Sequence, residues 1–125
     1  MQTILIVDDE KNLLKLYEKE FKEEGYQVIT ASSGMEALEK LGHFLVDLVI
    51  LDLRMPGMNG VDTLKKIMES AAKPPLIINS AYSSYKDNFL TWAAEDYVVK
   101  SSDISELKSR ARSILEKSRR CYEAG

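Results

Sequence analysis

An α/β fold, with a parallel sheet covered by helices on both faces, is predicted by three features of this 125-residue chain. Five short apolar runs, TILIV, YQVIT, VDLVIL, PLIIN and DYVV, each precede a stretch with helical spacing of apolar residues. The unit recurs every ~20 to 25 residues, enough for a strand and a crossover helix. Acids stand three residues after capping side chains where the helices should begin, so independent signals agree on the boundaries.

The elements follow in order. The first strand, 3 to 7, runs into Asp8 and Asp9, and the helix after it carries a stripe of Leu13, Tyr17 and Phe21. Asp9 could also cap that helix. The second strand, 26 to 30, leads to a helix opened by Ser33 with Glu36 and striped by Leu38 and Leu41; the lone His43 reads as a helix-end residue. The third strand, 46 to 51, is too short and too rich in branched aliphatics for a helix, and it ends on Asp52. Pro56, Gly57, Asn59 and Gly60 then turn the chain out of the sheet. Asn59 with Asp62 opens the third helix, striped by Val61, Leu64 and Met68. The fourth strand, 75 to 79, precedes Ser80 and a helix opened by Ser84 with Asp87. That helix gathers Tyr82, Tyr85, Phe89 and Trp92, which either pack on the sheet or leave one or two aromatics exposed as a partner surface. The fifth strand, 96 to 99, ends on Lys100, and Asp103 with Glu106 opens a last helix striped by Ile104, Leu107, Ala111 and Ile114.

Composition limits the function classes. With 45% hydrophobic and 30% charged residues, the chain is one ordinary globular domain, expected over 1–120, with 121–125 as a polar tail or the start of a linker. A net charge of −3 and no basic recognition segment argue against direct nucleic-acid binding or an anionic membrane. No run approaches the ~20 apolar residues of a membrane span, and MQTILIVDDEK lacks the form of a secretion signal, so a cytoplasmic location is expected. Cys121 is a single cysteine in a charged tail and reads as incidental.

In an open parallel sheet, ligands bind beyond the carboxyl ends of the strands. Those ends bear Asp8, Asp9, Asp52, Asn79, Ser80 and Lys100. If the first and third strands are neighbours, three carboxylates converge, and their repulsion calls for a cation. Oxygen donors without His or Cys select Mg²⁺, Mn²⁺ or Ca²⁺ over zinc. A metal, a lysine and a hydroxyl at adjacent strand ends would also bind phosphate oxygens, and one carboxylate could then attack phosphorus to give an aspartyl phosphate.

The motifs IVDDE (6 to 10), LDLRMPGMNG (51 to 60), SAY (80 to 82) and DYVVK (96 to 100) resemble, in order and across nearly the whole chain, the receiver domain of bacterial two-component response regulators. The resemblance implies a flavodoxin-like, CheY-like sheet of order 2-1-3-4-5 with five helices. It implies that Asp52 is the phosphoacceptor, that Asp8, Asp9 and Asp52 hold Mg²⁺ (Mn²⁺ as an alternative), Asp9 directly and Asp8 often through water, and that the Arg54 backbone carbonyl completes the ligands. Ser80 and Lys100 would bind phosphoryl oxygens, and Tyr97 would be the aromatic that turns in or out with the switch. The domain would not be an enzyme in its own right but would assist its own phosphorylation and dephosphorylation. Its phosphoryl donor would be a sensor histidine kinase or phosphotransfer protein. Its output would be a downstream protein, a covalently linked domain, or a homodimer formed on phosphorylation.

One departure concerns the lysine. Receivers commonly follow it with proline in a cis peptide, whereas this chain has Ser101. A cis bond costs about 2.5 to 4 kcal/mol without proline and about 0.5 to 1 with it. A trans bond with a reshaped loop therefore competes with a strained cis bond; strain absorbed by the site is the expectation here. Arg54 and Tyr82, each two residues past a site residue, are expected to slow hydrolysis of the acyl phosphate by their bulk. Among competing functions, the chain could be a fragment of a transcription factor or hybrid kinase. A Mg²⁺ phosphatase would want a second acid where Arg54 stands, and a dinucleotide binder would want GxGxxG, which is missing.

Overall fold

The computed structural model describes residues 1–53, 60–70, 74–81, 94–101 and 103–124. The strands are β1 (Thr3–Val7), β2 (Gln27–Ala31), β3 (Leu48–Leu51), β4 (Leu76–Ser80) and β5 (Asp96–Val99). They form one parallel sheet in the order β2-β1-β3-β4-β5, as expected. The helices described are α1 (Lys11–Glu23), α2 (Gly34–His43), α3 (Gly60–Glu69) and α4 (Ser105–Ala124). Here α4 is the helix expected as the fifth, and it includes residues 121 to 124. The expected helix with Tyr82, Tyr85, Phe89, Trp92 and the Ser84 cap lies outside the described residues, as do Arg54 and Asn59. No helix among the described residues is long and apolar enough to cross a membrane.

Side-chain alternation along the strands divides the core into two layers. Ile4, Ile6, Leu48, Ile50, Ile77 and Val98 face α1 and α4, meeting Leu14, Tyr17 and Phe21 from one and Leu107, Ala111 and Leu115 from the other. Leu5, Val7, Val49, Leu51 and Ile78 face the opposite way, toward Ala37 of α2 and Leu64 and Ile67 of α3. The helical stripes are shifted by one residue in three places. Leu14, Ile67 and Leu115 are buried where Leu13, Met68 and Ile114 were expected to lead; Leu13 and Ile114 are only partly buried, and Met68 is 38% exposed.

Local chemistry sets the helix ends. Ser33 accepts from the Glu36 N–H at 3.1 Å, as expected, but Glu36 reaches back to the backbone and hydroxyl of Ser32, one residue earlier than a simple capping box. Removing this cap with Ser33→Ala should cost about 1 kcal/mol of unfolding free energy, read from a urea midpoint with unchanged slope. Asp9 does not cap α1: the N-cap position is Glu10, with no side-chain cap bond. At the other end of α1, Gly25 adopts φ 97°, Tyr26 N–H donates to the Phe21 carbonyl and Gly25 N–H to that of Lys22. This is a Schellman ending, and the Phe21 and Tyr26 rings meet across it at 6.4 Å. Asp103 accepts from Ser105 N–H at 2.9 Å, so it closes an Asx-type turn into α4 in place of the expected pairing with Glu106.

Candidate metal and phosphoryl site

Register brings the acids together. Val7 pairs with Leu51, so the next residues, Asp8 and Asp52, leave the sheet side by side, and Asp52 N–H donates to the Val7 carbonyl at 3.0 Å. Asp8 and Asp52 are buried, and Asp9 is exposed at the rim. Each of the three offers a carboxylate oxygen, and these lie within 4.8 Å of one another. One ion can touch all three.

Lys100 arrives from the end of β5. Its Nζ lies 2.7 Å from Asp8 Oδ2 and 3.0 Å from Asp52 Oδ2, with the lysine side chain only 15% exposed. Asp8 Oδ1 accepts from the Glu10 N–H at 3.0 Å. Burial pushes the Asp8 carboxyl above the usual carboxylate range, against the pull of Lys100 and of the Glu10 N–H. For Lys100, burial opposes the charge, but its bonds to Asp8 and Asp52 outweigh burial and hold the ammonium more firmly protonated than a free lysine. Three carboxylates against one ammonium leave two negative charges, which a divalent cation would balance. The oxygen-only donor set suits Mg²⁺ or Mn²⁺, so the residues present fit a hard metal ion.

The Lys100–Ser101 peptide is trans, since no cis bond occurs among the described residues. The expected cis bond is thus corrected: a secondary amide favours trans by about 2.5 to 4 kcal/mol, and Lys100 reaches both acids without paying that cost. Ser80 is fully buried at the end of β4, and its carbonyl accepts from Lys100 N–H at 2.7 Å, tying the two strand ends together. Tyr97 is partly buried and packs against the layer that faces α2 and α3. The Arg54 carbonyl, the remaining expected ligand, lies outside the described residues.

Tyr17 joins this neighbourhood in a way its place in an apolar stripe does not reveal. Its hydroxyl accepts from Asn79 Nδ2 at 3.2 Å. The only hint in the sequence is a hydroxyl on the stripe of one helix and an amide in the apolar run PLIIN.

A family model described as response regulator receiver domain matches residues 4–112. Response regulator ArlR of Staphylococcus aureus is 41% identical over 118 residues, covering 94% of this chain and 54% of ArlR, so the chain spans about half the length of the curated relatives it matches. Response regulator protein TrrA of Thermotoga maritima, solved in complex with Mg²⁺ and BeF, is 42% identical with a TM-score of 0.86, over 91% of this chain and 99% of TrrA. TrrA solved in complex with the histidine kinase ThkA gives 43% identity and a TM-score of 0.85, over 92% and 99% of the two chains. The matched residues take in Asp8, Asp9, Asp52 and Lys100, and the chain belongs to the response regulator receiver domain family.

Proposed function

We propose that this domain is a phosphorylation switch in which Asp52 accepts a phosphoryl group with a divalent cation held by Asp8, Asp9 and Asp52. The observation that carries the reading is the single small site in which three carboxylates and the Lys100 ammonium are within ion-pair reach. Asp8, Asp9 and Asp52 would hold Mg²⁺, with Mn²⁺ as a substitute, and by the family resemblance the Arg54 carbonyl would complete the protein ligands. When bound, it draws charge from the phosphoryl oxygens.

The chain's own residues do the rest. A carboxylate oxygen of Asp52 attacks phosphorus, an Asp52 O–P bond forms as the donor's P–N bond breaks, and the donor nitrogen leaves with the bond's electron pair. Lys100 already lies 3.0 Å from Asp52 Oδ2 and holds one phosphoryl oxygen, while the Ser80 hydroxyl donates to another. The product places about −1.5 to −2 charge where a single carboxylate stood. Lys100 and Ser80 follow that charge, the end of β4 moves with them, and Tyr97 turns toward the space vacated. The domain thereby assists its own phosphorylation and dephosphorylation without turning over an external substrate.

A sensor histidine kinase or phosphotransfer protein is the donor, and a partner protein or linked domain reads the altered surface. The TrrA complex with Mg²⁺ and BeF supports the cation and phosphoryl site, and the TrrA complex with ThkA supports a histidine kinase as donor. The site operates in the cytoplasm and makes no direct contact with nucleic acid. Incubation with acetyl phosphate and Mg²⁺, followed by intact mass, tests the proposal. One added phosphoryl group, lost when EDTA replaces Mg²⁺, is expected; uptake that ignores EDTA, or steady turnover of a phosphoester, contradicts it.

A further inference from the structure

Tyr17 and Asn79 form a polar pair inside an otherwise apolar layer. They are 2% and 3% exposed, and their hydrogen bond of 3.2 Å joins positions 62 apart in sequence. Leu14, Phe21, Ile77 and Val98 belong to the same layer as Tyr17. An apolar pair of the same shape would fill this space without desolvating a hydroxyl and an amide, so burial alone does not account for the choice.

What the bond connects gives it meaning. Tyr17 lies on α1, the helix that begins two residues after Asp9. Asn79 immediately precedes Ser80, whose carbonyl accepts from Lys100 N–H at 2.7 Å. Lys100 Nζ reaches Asp8 and Asp52, and Asp8 Oδ1 accepts from Glu10 N–H at the head of α1. These contacts close a ring: from α1 to the end of β4, on to Lys100, through the acids, and back to α1. A cavity of about 130 Å³ opens beside Tyr17 and Asn79 toward Ser101 and Asp103. Packing does not fill that side of the ring, and the hydrogen-bonded pair forms part of the cavity wall. Burial pushes the Tyr17 hydroxyl above its usual pKa, which keeps the oxygen a neutral acceptor.

We propose that the Tyr17–Asn79 hydrogen bond is a positioning link for phosphoryl transfer, setting the end of β4, and hence Lys100, against the acids. The link rests on the reading of Asp52 as phosphoacceptor. Neither residue touches the reacting atoms; both act through Ser80 and Lys100.

The test uses the full chain and separates placement from stability. Tyr17→Phe alone strands the Asn79 amide and lowers the melting temperature under either role. Tyr17→Phe with Asn79→Leu replaces both partners by apolar groups of similar shape and restores the stability of the layer. Phosphorylation rate with acetyl phosphate, Mg²⁺ affinity by calorimetry and melting temperature are measured on both and on the wild type. The expected double variant melts like the wild type and binds Mg²⁺ with unchanged affinity, yet is phosphorylated about tenfold more slowly, since small misplacements of a reacting group are costly. A double variant phosphorylated as fast as the wild type overturns the link. Should that variant melt below the assay temperature, Tyr17→Phe is compared with Ile67→Val, a gentle truncation in the opposite layer. A rate deficit in Tyr17→Phe alone supports the link, and equal rates overturn it. A wild-type chain that takes up no phosphoryl group overturns the reading of Asp52 and the link with it.

Discussion

Asp52→Asn is expected to abolish phosphoryl uptake from acetyl phosphate while leaving the fold intact. The substitution keeps the shape of a buried side chain that is 5% exposed, but the amide has no anionic oxygen with which to attack phosphorus. It also removes one of the negative charges gathered within 4.8 Å, which relieves repulsion with Asp8 and Asp9. Lys100 keeps its 2.7 Å contact with Asp8, so the ammonium stays paired. The variant should therefore melt no lower than the wild type, and intact mass should show no added phosphoryl group. Uptake at the wild-type level in Asp52→Asn would mean that another nucleophile carries the chemistry.

Lys100→Met should slow phosphorylation by ~100- to 1000-fold, the usual consequence of deleting one preorganised group that stabilises developing charge. The same change leaves Asp8 and Asp52, 2% and 7% exposed at their side chains, without their shared cation. Breaking a buried ion pair from one side costs about 3 kcal/mol, so a marked fall in melting temperature at neutral pH is expected. Mg²⁺ should recover part of it by binding only the folded site. The sign of the pH dependence follows from Asp8, whose carboxyl burial already holds above its usual range. Such a group stabilises the fold below its unfolded pKa, and that contribution is lost as the pH rises through the folded value. Without Lys100 the upward shift grows. The stability deficit of the variant should then shrink as the pH falls from neutral toward the usual carboxylate range, a trend that melting curves across pH would check.

The strand ends were legible because their information is one-dimensional. An apolar run stops, a turn begins, and the residue between them must sit at the edge of the sheet, which placed Asp8, Asp52 and Lys100 correctly. Helix faces were less legible for a geometric reason. Leu13 and Leu14, Ile67 and Met68, and Ile114 and Leu115 are adjacent apolar pairs, and either member fits a helical stripe. Rotation of the helix on the sheet decides between them, and that rotation is set by the partner surface. The Asp9 cap failed because the helix begins at Lys11, which puts Glu10 and not Asp9 in the N-cap position. The Lys100–Ser101 bond shows that proline is not required to aim this lysine. Tyr17 with Asn79 was invisible because the two ends of the bond are 62 residues apart and each alone passes for core.

The central claim is that Asp52 itself becomes the acyl phosphate in the site it shares with Asp8, Asp9 and Lys100. Reduction of the phosphorylated chain with borohydride, followed by peptide mass analysis, tests it most directly, because the acyl phosphate of an aspartate is reduced to homoserine. Homoserine at position 52, formed only when Mg²⁺ was present during phosphorylation, is the predicted result. Homoserine at position 8 or 9, or a phosphate that survives reduction on a hydroxyl or nitrogen, would contradict the account.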